Sequence, residues 1–204
     1  MISANKHVRI PVMVAALAMM TGLGGCAGAL IGGAATAGVS VAQERSVGSA
    51  IDDTAIATKL SAQLFDESFK LFRDVDLEVL EGRVLLTGKV EKQESRLRAE
   101  ELAWQIDGVR EVANAIQVTS EGGIGSYATD VRISNQLRAK LIGDTDVLGI
   151  NYSIETVGQV VYLIGIAQSQ EELDRVIGHA RSVRGVKKVE SYVRLKDDPR
   201  RQSS

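Results

Sequence analysis

Sliding the chain along itself by 77 residues (130 − 53 = 77) lays residues 53–118 on residues 130–195 without a gap. Identities fall at Asp53/Asp130, Leu60/Leu137, Leu64/Leu141, Val84/Val161, Leu86/Leu163, Gly88/Gly165, Gly108/Gly185, Val109/Val186 and Val112/Val189. This period restricts the fold more than any other feature, because two copies of one small domain must each build the same core. A single cysteine in 204 residues rules out an internal disulfide, so packing alone holds each copy. Aromatic residues make up only 4%, so the cores must come from Val, Ile, Leu and Ala.

Each copy reads in the same order. Asp53 and Asp130 stand where an N-cap would, with carboxylates able to accept from the first helical turn. Ile56, Leu60 and Leu64 recur at four-residue spacing, as do Ile133, Leu137 and Leu141, which predicts one apolar stripe on a short helix. Alternation over 75–79 and 152–156, then a short turn (81–83, 157–159) and a second apolar run, predicts an antiparallel hairpin. A charged helix follows over 91–107 and 168–184, ending at Gly108 or Gly185 where a left-handed cap suits glycine. Val112, Ile116 and Val118 alternate in a last strand, answered by Val189, Val193 and Leu195. The order helix, strand, strand, helix, strand predicts an α+β layer fold.

Residues 1–43 carry no acid, and charged periodic sequence begins only after Gln43. Lys6, His7 and Arg9 precede the apolar run 10–20, and small residues follow, as in a secretory signal. That run is shorter than the roughly 20 residues of a spanning helix. It ends in Leu23-Gly24-Gly25-Cys26, which resembles the lipobox of bacterial lipoproteins. The resemblance implies lipidation of the Cys26 thiol, cleavage just before it and acylation of the new amino terminus. Ala27 in place of Asp resembles an outer-membrane address. Two other readings stand beside it: an incidental cysteine, or an uncleaved anchor within 10–43, where Gly24, Gly28 and Gly32 have the spacing of close helix contacts in membranes. The Gly/Ala composition favours a flexible tether, and two or three acyl chains hold a protein far more firmly than one. Removing Lys6 and Arg9 leaves 22 basic and 26 acidic residues, a net charge of −4.

The strings GRVLLTG with GVREV, and VVYLIG with GVKKV, together resemble a pair of BON domains. With the lipobox and RSVGSAIDD (45–53), the order resembles the dual-BON outer-membrane lipoproteins. The resemblance implies two tandem BON domains, each αββαβ with a three-stranded mixed sheet against two helices. Residues 1–25 are then a signal peptide, 26–52 the lipidated cysteine and tether, 53–119 and 130–196 the domains, 120–129 a linker and 197–204 a disordered tail. It also implies a periplasm-facing protein that binds anionic phospholipid, mainly phosphatidylglycerol, through the first helix of the second domain. That helix covers 130–142 here, and helical spacing puts Val131, Asn135, Arg138 and Ile142 opposite its core stripe. Arg132 stands where the family carries an inserting tryptophan, so an aromatic anchor is missing, with Tyr127 just upstream. The implied role is envelope integrity and stress tolerance, with outer-membrane assembly or division proteins as partners.

Charge differs between the copies. Residues 53–118 hold 9 basic and 13 acidic side chains (net −4), whereas residues 130–195 hold 9 and 8 (net +1). Arg132, Arg138 and Lys140 lie on one helix of the second copy, and Arg181, Arg184, Lys187 and Lys188 form a second basic cluster. A cationic patch near anionic headgroups gains about 1 kcal/mol per Lys or Arg, although cations also suit a helix C-terminus on their own account. An enzyme is not expected. His179 is the one histidine after Cys26 and falls on a charged helix, where solvation accounts for it; no GxSxG, phosphate-loop or HExxH pattern occurs. Neither a metal nor a cofactor is expected, and an acidic, exported, aromatic-poor chain does not suit nucleic acid. The alternative is a periplasmic chaperone or protein-binding scaffold.

Overall fold

The computed structural model describes residues 44, 46–119 and 124–202. The signal peptide, Cys26 and most of the tether lie outside the described residues. The first copy runs α1 (Val47–Glu67), α2 (Phe69–Asp74), β1 (Val75–Leu80), β2 (Arg83–Val90), α3 (Gln93–Trp104), β3 (Glu111–Asn114) and β4 (Gln117–Val118). The second runs α4 (Ile124–Ile142), a 3-10 turn (Gly149–Asn151), β5 (Tyr152–Val157), β6 (Val160–Ala167), α5 (Gln170–Ser182) and β7 (Lys188–Leu195), followed by α6 (Pro199–Gln202).

Each sheet is mixed, with the second strand central: β1 and β5 pair antiparallel with β2 and β6, while β3, β4 and β7 run parallel to them. The α+β order αββαβ is therefore present twice. The last strand of the first copy is broken in two, yet the Ala115 N–H still reaches the Leu86 carbonyl at 2.8 Å across the break. Ile56, Leu60 and Leu64 pack with Val75, Val79, Val84, Leu86, Leu102 and Ile106 in one core; Ile133, Leu137 and Leu141 do the same with Ile154, Val161, Leu163 and Val176.

Three expectations need correction. Asp53 does not cap its helix: α1 starts six residues earlier, at Val47, where the Ser46 hydroxyl accepts from the Ser49 N–H. Asp53 and Asp130 are instead 3% and 6% exposed inside their helices, and each carboxylate accepts two N–H groups of the adjacent hairpin turn. Both central residues of those turns, Glu81-Gly82 and Gly158-Gln159, have φ between 54° and 71°. That is the left-handed geometry suited to the twist of a hairpin, and it directs two neighbouring N–H groups at one carboxylate. Second, residues 124–129, read as linker, already belong to α4. Third, residues 197–202 of the expected disordered tail are ordered. Arg201 in α6 donates to Glu81 at 2.8 Å and to the Glu44 carbonyl at 3.1 Å.

Gly88 and Gly165 close the hairpins. A Cβ there would stand 2.2 Å from the Asp74 carbonyl oxygen and 2.4 Å from that of Asn151, so only glycine lets the strand pass.

The two copies pack sheet against sheet. The face of each sheet away from its helices carries Leu80, Leu85, Ala113 and Ala115 in the first copy and Val157, Val160, Tyr162, Ile164 and Tyr192 in the second, and these form one cluster. The contacts are reciprocal, β1 on β6 and β2 on β5, with Leu85 and Tyr162 in equivalent places, as an approximate two-fold axis requires. Gln117 Nε2 crosses the seam to the Val157 carbonyl at 2.9 Å and the Tyr162 hydroxyl at 3.2 Å. The layers run helix, sheet, sheet, helix, and the helical layers form the outer faces.

Candidate functional site

Helix α4 carries the predicted lipid-facing residues on an outer layer. Its core stripe (Ile133, Leu137, Leu141) is buried, and Val131, Arg132, Asn135, Arg138, Lys140 and Ile142 are all exposed. They do not make one patch. Spacing and contacts divide them into two stripes on either side of the helix.

Val131, Asn135 and Arg138 line a cleft of about 400 Å³ between the two copies, together with Asp74, Asp76, Lys89 and Glu155. Arg138 is tied down there, one guanidinium nitrogen donating to the Ile154 carbonyl at 2.9 Å. Arg132 and Lys140 lie on the other side. Arg132 donates to the Arg184 carbonyl at 3.2 Å, which brings the α4 stripe against the basic segment after α5. Arg181 in the last turn of α5, and Arg184 and Lys187 after it, are exposed, whereas Lys188 is engaged with Glu190 at 2.7 Å. The structure thus brings Arg132 to Arg184 across 52 residues of sequence (184 − 132 = 52), with Lys140 two turns further along α4, and leaves Arg138 facing a different environment. The C-terminal end of α4 carries an apolar tip: Ile142 is 83% exposed, with Leu148 and Ile150 exposed just after it.

The cleft is acidic where it meets the first copy. Desolvation between its walls, and then the charges of Asp76 and Glu78 across the seam, hold the Glu155 carboxyl above the usual carboxylate range; desolvation alone raises Asp76, while Arg138 opposes the shift at Glu155. Because the folded pKa exceeds the unfolded one, folding binds protons here. This contribution is fully present below ordinary carboxylate values and lost as pH climbs through the raised ones. Glu155→Gln is therefore expected to raise the melting temperature at neutral pH. The gain should vanish at pH values below the ordinary carboxylate range, which thermal melts across pH would read.

His179, expected to be solvated, is half-buried and 2.6 Å from Asp144, whose carboxylate also faces Arg175 at 3.7 Å. The hydrogen bond to His179 holds the Asp144 carboxyl below its usual range. Among the described residues no His/Cys/Asp/Glu group is arranged to hold a metal, and no helix is long and apolar enough to cross a membrane.

Sequence reasoning missed two surfaces. The apolar tip at Ile142, Leu148 and Ile150 was legible only in part, because the 3-10 turn that carries it follows no period. All three phenylalanines of the chain, Phe65, Phe69 and Phe72, are exposed at the α1–α2 junction in edge-to-face contact, with centroids 6.2 Å and 5.6 Å apart. Their signal lay in the spacing: Phe65 falls one place after the buried Leu64, and Phe69 and Phe72 flank the buried Leu71.

Comparison with known proteins places these surfaces on a shared scaffold. A family model described as the BON domain matches residues 52–120 and 129–197. An uncharacterized protein in the gshII 5' region of Anaplasma centrale is 49% identical over 72% of this chain and 96% of its own length. Osmotically-inducible protein Y of Escherichia coli is 33% identical over 74% and 76%. Outer membrane lipoprotein DolP of Haemophilus influenzae is 31% identical over 82% of this chain and 86% of its own.

Proposed function

The chain belongs to the BON-domain family, and from that membership we propose a periplasm-facing outer-membrane lipoprotein whose second domain docks on anionic phospholipid. Cys26 is the acylated residue, and the segment after it is the tether. The likeness to DolP supports the envelope location, and the lipobox supports the anchor. The observation that carries the lipid reading is the Arg132–Arg184 contact. It brings Arg132 of α4 against the basic segment around Arg184 on the outer face of the second domain, and the exposed Ile142 tip stands at the C-terminal end of the same helix. The cationic part draws headgroups, screened by salt, and the apolar tip takes the place of the missing tryptophan. The physiological role is maintenance of the envelope under stress.

The test is co-sedimentation of the full chain, carrying Cys26→Ser, with vesicles. Phosphatidylglycerol vesicles are expected to pellet the protein, phosphatidylcholine vesicles to leave it in solution, and salt to release it. Arg132→Glu with Lys140→Glu should weaken binding by at least about thirtyfold, since each lost cation removes about 1 kcal/mol. Equal pelleting with both lipids, or no effect of the double reversal, defeats this reading.

A second reading, a chaperone or protein-binding scaffold like osmotically-inducible protein Y, is favoured by the Phe65–Phe69–Phe72 cluster, since clustered exposed aromatics suit protein contacts. The sheet faces are not available for such a client, because they are spent on each other.

A further inference from the structure

Five arginines and two glutamates ring a pocket of about 280 Å³ at the seam between the domains: Arg83, Arg110, Arg194, Arg200 and Arg201, with Glu81 and Glu111. They come from the first hairpin, the approach to β3, the end of β7 and α6, so only the packed pair of domains assembles them. Glu81 is engaged by Arg201 and Glu111 by Arg194; Asp198, outside the ring, takes Arg200 at 2.6 Å.

Arg83 is the buried member, 3% exposed. Its terminal nitrogens donate across the seam to the Tyr192 carbonyl at 2.7 Å and toward that of Gly165 at 3.4 Å. Its Nε has no hydrogen-bond partner among the described residues. Burial, and then the neighbouring Arg194 charge, lower its pKa to about 10, so an anion accepting from this guanidinium would stabilise its charged form. Guanidinium forks match the oxygens of a phosphate, which can accept from several at once. A pocket of this size has ample room for a phosphate group and for a second one joined to it.

We propose that the seam pocket is an oxyanion site that takes a phosphate group, from a phospholipid headgroup or from a soluble phosphate, and that occupation locks the two domains together. Arg201 favours the headgroup, because it also holds the carbonyl of Glu44, which stands 18 residues after Cys26 in the chain (44 − 26 = 18). The proposal does not rest on the α4 lipid reading.

Thermal melts of the full Cys26→Ser chain in inorganic phosphate and in pyrophosphate, against sodium chloride at equal ionic strength, test it. A saturable rise in melting temperature with the phosphates, absent with chloride, is expected. Arg110→Gln and Arg200→Gln should each weaken the apparent affinity about tenfold. Glu111→Gln should move the other way, lowering the melting temperature without ligand but tightening phosphate, because it releases Arg194; a purely structural arginine cluster would not do this. No saturable phosphate effect, or an unchanged effect in Arg110→Gln and Arg200→Gln, overturns the site. Phosphatidylglycerol vesicles identify the source. Binding that falls in those two variants assigns the headgroup to the seam. Binding that is indifferent to them, and lost with Arg132→Glu and Lys140→Glu, overturns the seam as a lipid site and leaves the α4 reading standing.

Discussion

Asp53→Ala and Asp130→Ala should each destabilise the protein by about 3 kcal/mol, seen as a fall of about 10 °C in melting temperature. Each substitution removes the carboxylate that accepts two turn N–H groups at 2.7–2.9 Å. The Gly82 N–H is buried and is left without its acceptor, which accounts for most of the loss. Asp53→Asn keeps one acceptor oxygen and should fall between the wild type and alanine. Asp52→Ala, at an exposed neighbour, should change stability by less than about 0.5 kcal/mol. Urea unfolding of the four variants checks the ranking. If Asp52 and Asp53 prove equally sensitive, the carboxylate does not hold the turn.

Leu85→Asp should cost about 4 kcal/mol or more and, beyond that, change how the protein unfolds. Leu85 is buried in the sheet-to-sheet cluster and faces Tyr162 and Ile164 from the other copy, so an aspartate there places an unpaired charge in an apolar seam. The helical core of the first copy does not include this residue. Each domain should therefore keep its own fold while the two cease to unfold together. Calorimetry is expected to show one transition for the wild type and two for the variant, and proteolysis between β4 and α4 should accelerate. A single transition at a lower temperature would mean that the seam does not couple the domains.

The repeat, the element order and both helix stripes were legible because each rests on a local period read twice. Where the fold departed from expectation, the cause was a long-range contact. Asp53 looks like a cap from its position before an apolar stripe, but its acceptor oxygens are spent on a turn 28 and 29 residues away. The tail looks disordered by composition until Glu81 and the Glu44 carbonyl give Arg201 its partners. The domain seam left a signal of another kind. β6 reads VVYLIGIA, apolar on both faces, which is the pattern of a strand covered from both sides and not of a half-exposed hairpin. The basic residues of the second copy were also visible, but only the folded chain shows that Arg132 joins Arg184 while Arg138 turns toward acids.

The approximate two-fold seam has a consequence for how such a chain can diverge. A lone domain with the same sheet face would have to meet a second molecule of itself, and each change at the contact would be imposed on both partners. Joining the copies in one polypeptide replaces that encounter with a high local concentration. The halves no longer need to be alike. Tyr162 can oppose Leu85, Val160 can take the place equivalent to Arg83, and the arginines at the rim can be recruited unevenly from the two copies. Covalent linkage thus turns a self-complementary contact into one whose two sides carry different chemistry, with net charges of −4 and +1.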